Sequence, residues 1–173
     1  MQSNISLEEN LQPQQNKVEK VPRNIGGWLI LLAIGIVFWP FRMLYFAFIV
    51  YFPMLYDNSW KAHTIETSNA YLPSWGLFLF GEIIINLAII LASIYLVLLF
   101  FGKKSNFPKW YASISLFSVI FLLIDSYILT LIVPTALMFD VETIKELSKS
   151  LISLFIWTPY LFLSQRSKET FVN

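Results

Sequence analysis

Cysteine is absent from the chain and histidine occurs once. The first absence excludes disulfides, thiolate metal sites, iron–sulfur clusters, covalent c-type haem and a cysteine-borne lipid anchor. The second leaves His63 alone, three residues before Glu66, with no histidine–carboxylate cluster to hold a metal ion. Glycine-rich phosphate loops and a GxSxG elbow are also missing. The expectation is a protein that is not an enzyme, has no catalytic residue and needs neither cofactor nor metal. Charge is scarce as well. Only 13% of the 173 residues are charged, for a formal net of +1, against about a quarter in ordinary soluble domains. So balanced a chain carries no basic field for nucleic acid and no acidic tail.

What is there is apolar. Hydrophobic residues make up 57% of the chain, gathered into long runs rather than amphipathic stripes, which is the pattern of lipid-facing segments. A helix needs about 20 apolar residues to cross about 30 Å of hydrocarbon. Candidate spans fall at about 25–52, 76–101, 110–133 and 148–164. These predict an all-α polytopic membrane protein, a four-transmembrane-helix bundle over 25–164. The fourth span is short and carries Ser150, Ser153, Thr158 and Pro159, so a re-entrant or interfacial segment is its alternative. Residues 1–24 are polar and read as a disordered cytoplasmic tail, and 165–173 as a second tail.

Orientation follows from Lys and Arg in the short connections. Lys17, Lys20, Arg23, Lys103, Lys104, Lys109, Arg166 and Lys168 share one side, whereas Lys61, Lys145 and Lys149 fall on the other amid five acids. Eight against three places both termini in the cytoplasm. Trp28 and Trp110 mark the inner boundary, and Trp60, Tyr71 and Trp75 the outer one.

Arg42, Glu82 and Asp125 stand one in each of the first three spans. A charge at a helix centre costs about 2.5–3.5 kcal/mol on insertion scales, so each should be paired or face a water-filled cavity. At a rise of 1.5 Å per residue, Arg42 lies roughly 24 Å and Asp125 roughly 22 Å from the inner boundary, and Glu82 roughly 10 Å below the outer one. All three land in the outer half, where one guanidinium could bridge two carboxylates. Asn86, four residues after Glu82, extends the polar strip one turn inward. The bland reading is a cluster that fixes helix register; the functional one is a pocket or ion pathway.

Three motifs carry a resemblance. Gly26-Gly27-Trp28-Leu29, then Phe100-Phe101-Gly102-Lys103-Lys104 with Phe107-Pro108, then Ile156-Trp157-Thr158-Pro159-Tyr160, Ser164-Gln165-Arg166-Ser167-Lys168 and Thr170-Phe171-Val172 resemble the opening, central turn and ending of domain-of-unknown-function family 2569, the YdgK-like bacterial inner-membrane proteins. The resemblance covers about 25–172 and implies four helices in a bacterial inner membrane. It carries no activity and no catalytic residue. Physically, Trp157, Tyr160, Arg166 and Lys168 read as an interfacial clamp, rings at the boundary and cations beside anionic headgroups. The expected partners are membrane lipids, with itself or another membrane protein as associate. The leading functional expectation is action by association, as an oligomer or accessory subunit; the alternative is a small transporter or channel subunit built on the intramembrane charges.

Overall fold

The structure is a computed structural model that describes residues 21–173, so most of the expected N-terminal tail, with Lys17 and Lys20, lies outside the described residues. Every regular element among them is helical. The order is α1 (Trp28–Tyr56), α2 (Ser59–Thr64), α3 (Trp75–Phe101), α4 (Phe107–Ile132), α5 (Val141–Ile152), a π-helical turn (Ser153–Trp157), α6 (Thr158–Leu163) and α7 (Gln165–Thr170).

Three helices, α1, α3 and α4, are long and apolar enough to cross a membrane. With 29, 27 and 26 residues they run about 39–43 Å, longer than the hydrocarbon core they would cross. α1 continues through Pro40 and Pro53. The loop between α1 and α3 folds into the short α2, where His63 sits against Trp75 with ring centroids 5.5 Å apart.

The expected fourth span is not one continuous α-helix. It is assembled from α5, the π turn and α6, and it starts earlier, at Val141. Two features of the sequence explain this. Pro159 has no N–H to donate to the carbonyl four residues back, and such a gap favours the wider π winding just before it. The first half is strongly two-faced, with Glu142, Lys145, Glu146 and Lys149 on its polar side, so hydropathy alone starts the span too late. Asp140 caps α5 by accepting from the Thr143 amide at 2.7 Å. That hydrogen bond holds the Asp140 carboxyl below its ordinary range.

α1 packs on α3, α3 on α4, and α4 on α5, the π turn and α6 in succession, whereas α1 and α5 share no extensive backbone contact. The core sits at the end where α1 begins. Leu29, Phe100 and Phe107 are fully buried there, beside Leu32, Leu96, Leu99, Leu161 and Phe171. Residues 165–173 are not a free tail. They form α7 and dock, because Phe171 is apolar and lies between Phe100 and Phe107 at ring separations of 5.5 and 4.7 Å. The segment before α1 and the C-terminal end meet at this face. The Arg23 amide donates to the Glu169 carbonyl at 2.9 Å, the Arg23 guanidinium pairs with the Glu169 carboxylate at 2.7 Å, and the Ser105 amide donates to the Asn173 carbonyl at 2.7 Å.

Candidate functional site

The intramembrane polar residues divide into two groups instead of one. Glu82 receives its hydrogen bond from the Tyr51 hydroxyl on α1, at 2.9 Å. Asn86 donates to the same Tyr51 oxygen at 3.2 Å and to the Glu82 carbonyl at 3.0 Å. Asp125 on α4 makes no side-chain hydrogen bond or ion pair among the described residues, and it lines with Glu82 an apolar groove of about 480 Å³ between α3 and α4.

Arg42 is elsewhere. Its guanidinium takes Glu146 of α5, at 3.3 and 2.5 Å, and Lys149 holds the same carboxylate at 2.8 Å. The single cluster expected from depth therefore separates, for two geometric reasons. Arg42 and Tyr51 are nine residues apart, half a turn out of phase, so when Tyr51 faces α3 Arg42 points away from it. The helices also exceed the slab, so depths counted from opposite ends do not share a scale. Counted from the common core end, Glu82 and Asp125 lie about 27–28 Å out and Arg42 only about 21 Å. Lys149, counted from Leu163, also lies about 21 Å out.

Behind the Arg42–Glu146–Lys149 link lies a cavity of about 200 Å³ bounded by α1, α3, α4 and the π turn. Its polar wall is a ladder of hydroxyls. Tyr111, Ser115 and Ser118 follow one face of α4 at i, i+4 and i+7, and Ser153 opens the π turn opposite. Tyr111 and Ser153 oxygens are 2.8 Å apart, and Ser115 and Ser153 3.1 Å. Ser93 and Ser118 spend their protons on helix carbonyls, at 2.7 and 2.9 Å. Trp39 and Trp157 close the apolar sides. The lips are Leu31 and Gly35 on α1 and Lys149 and Ile152 on α5, all exposed on the flank of the bundle. An adjoining groove of about 510 Å³ shares Gly35, Trp39 and Lys149 with this cavity and adds Arg42 and Tyr45.

Of these residues the sequence singles out Arg42 as an intramembrane charge and Trp157 as a clamp residue, and gives Ser153 only as a polar residue of the short fourth span. The available signal was the helical spacing of hydroxyls on α4, which is weak because serine is common in membrane helices.

The expected clamp residues are all at the core end. Trp157 and Tyr160 stack edge to face at 6.0 Å and pack against the buried core. Arg166 folds over Gly26 and Gly27; a Cβ at Gly26 would collide with its guanidinium, and Gly27 has φ +59°, where side chains are strained. Lys168 alone points outward.

No curated protein and no solved structure matches the chain. A family model does, that of a protein of unknown function (DUF2569), over residues 22–172. That span takes in every crossing helix, the hydroxyl-lined cavity and the docked C-terminal end, and the chain belongs to the DUF2569 family.

Proposed function

We propose that this is a bacterial inner-membrane protein with four crossings and both termini in the cytoplasm, working by association without catalysis. The molecule it associates with is an amphiphile that enters the flank cavity from the bilayer. The fourth crossing is supported by the meeting of Arg23 with Glu169: three crossings would leave those residues on opposite sides of the membrane. The cytoplasmic assignment rests on Arg23, Lys103, Lys104, Lys109, Arg166 and Lys168, the described cations at the core end and in its connections.

The observation that carries the binding reading is the gap itself. A bundle that only needed stability would close α1 against α5, since dispersion contacts drive helix association in lipid. Here the two helices are bridged by one ionic link over a cavity with exposed lips. Gly35 gives a clean test, because a Cβ added there meets nothing within 4 Å. Gly35→Phe should fill the mouth while leaving the fold intact. Native mass spectrometry of protein released from lipid nanodiscs is expected to find lipid retained by the wild type and lost by Gly35→Phe, with equal melting temperatures. Equal retention by both proteins would remove the cavity reading.

A transport role is the second reading, favoured by Asp125 and Glu82 sharing a groove without a cation between them. Proton or solute flux into liposomes that survives the double change Glu82→Gln and Asp125→Asn would end it.

A further inference from the structure

The groove outside the cavity is chemically one-sided. Its charged lining residues are Arg42 and Lys149, with Tyr45 and Trp39 beside them, and no acidic residue lines it among the described residues. Glu146 satisfies both cations from the side, so two positive charges share one negative and the triad keeps a net charge of +1. Arg42 is about half exposed and Lys149 only slightly less. An uncompensated positive charge within the outer half of a membrane is costly unless something anionic completes it. Guanidinium and ammonium groups on long stems can also reach towards the headgroup level.

From this we infer that the occupant is a phospholipid with a net negative headgroup, its phosphate held between Arg42 and Lys149 and one acyl chain laid past Gly35 into the hydroxyl-lined cavity. The inference rests on the cavity reading above and gives it a ligand. Charge complementarity selects the headgroup: of its five N–H donors the Arg42 guanidinium keeps three beyond the two that Glu146 accepts, the lysine adds a point charge, and the Tyr45 hydroxyl is a further donor in the same groove. Position selects the chain, because the cavity is apolar on the Trp39 and Trp157 sides and adjoins the groove at Gly35, Trp39 and Lys149. The hydroxyl ladder does not oppose an alkyl chain, since Ser93 and Ser118 are bonded to helix carbonyls and Tyr111, Ser115 and Ser153 to one another. The π turn contributes by setting Ser153 against α4, leaving the α1 side of the cavity to the ligand. When the headgroup docks, Glu146 remains bonded to Lys149 or Arg42 and the group becomes electrically neutral.

The test uses full-length protein in nanodiscs made of equal parts phosphatidylglycerol and phosphatidylcholine with matched chains. Native mass spectrometry reads which lipid stays bound. Wild-type protein is expected to retain phosphatidylglycerol about fivefold above its share of the disc, the preference expected of one unbalanced cation near the membrane surface. Arg42→Gln with Lys149→Gln should still retain lipid but at the disc ratio, and Gly35→Phe should retain neither. Retention of both lipids by the wild type at the disc ratio would overturn the anionic assignment and leave the cavity reading standing. Retention of no lipid by the wild type would overturn both. Should the double variant melt early, Tyr45→Phe with Lys149→Gln replaces it, and an undiminished preference in that variant also counts against the assignment.

Discussion

The two ends of the bundle are built on different principles. At the core end the side chains are interlocked: Leu29, Phe100 and Phe107 are fully buried, and Phe100, Phe107 and Phe171 form a triangle of rings 4.7 to 5.5 Å apart. In the other half, cross-helix links are mostly polar. Tyr51 reaches Glu82, Arg42 reaches Glu146, and the Ser126 hydroxyl of α4 donates to the Met138 carbonyl in the loop before α5. Few apolar side chains beyond Val119 are buried there. Stability is therefore concentrated at one end, and the other end has the freedom that ligand entry or helix movement requires.

The strongest way to break this contrast is to remove a ring from the triangle. Phe100→Ala should cost about 3–5 kcal/mol, as for other buried phenylalanines, whereas Phe80→Ala, on the exposed flank, should leave thermal unfolding in detergent almost unchanged. Similar losses at the two positions would mean that packing is even along the bundle. A second change at the same end acts through a single Cβ. Gly26→Ala displaces the Arg166 guanidinium, the end of a flexible side chain, and should destabilise by about 1 kcal/mol, the low end for overpacking. Adding Arg166→Ala should recover much of that loss, and additivity of the two changes would show that they do not touch.

The core end is where the sequence was most readable, although for a reason that was not visible in it. Three separated motifs contribute phenylalanines or glycines to a single place: Gly26–Gly27 lies beneath Arg166, Phe100 and Phe107 come from the central turn, and Phe171 from the ending. Composition and run length were enough to find α1, α3 and α4, because lipid demands continuous apolar helices. The fourth segment was blurred because its polar face and Pro159 shorten the apolar run. Pairing among the intramembrane charges was beyond the sequence. Which carboxylate Arg42 meets depends on its azimuth around α1, and azimuth follows from packing. The cavity was hidden for the same reason, since its wall is assembled from four elements whose hydroxyls look ordinary singly.

The polar end gives the intermediate effects. Tyr51→Phe removes the donor to Glu82 and the acceptor for Asn86 together, and should cost about 1–3 kcal/mol, the penalty for unsatisfied polar groups away from water. Glu82→Gln keeps an oxygen facing Tyr51 and should cost less; the reverse order would show that the charge, and not the hydrogen bond, secures that end. For the other link, Arg42→Gln alone should cost about 1 kcal/mol or less, because Lys149 still pairs with Glu146, whereas Glu146→Gln, which leaves two cations without their shared carboxylate, should cost more. Equal losses from the two single changes would show that Lys149 does not share the Glu146 carboxylate.

The smallest expected effect lies where the polar end meets water. Asp140 accepts from the Thr143 amide at the start of α5, and this holds its carboxyl below the ordinary value of 3.8. A carboxyl whose folded pKa is depressed binds protons less readily than in the unfolded chain, so its contribution is complete above the unfolded value and fades as pH falls through the folded one. Lowering the pH below about 4 should therefore fray the first turn of α5 while the ring triangle, which contains no titrating group, is untouched. Hydrogen exchange should show it as faster exchange at Thr143 and Ile144 with no change at Leu99 or Phe100, after correction for the intrinsic pH dependence of exchange. Asp140→Asn, which keeps a capping oxygen but cannot ionise, should abolish the pH dependence and keep most of the protection. Equal acid sensitivity at both ends would mean that α5 is not an independent element, and that the polar half unfolds only when the core end does.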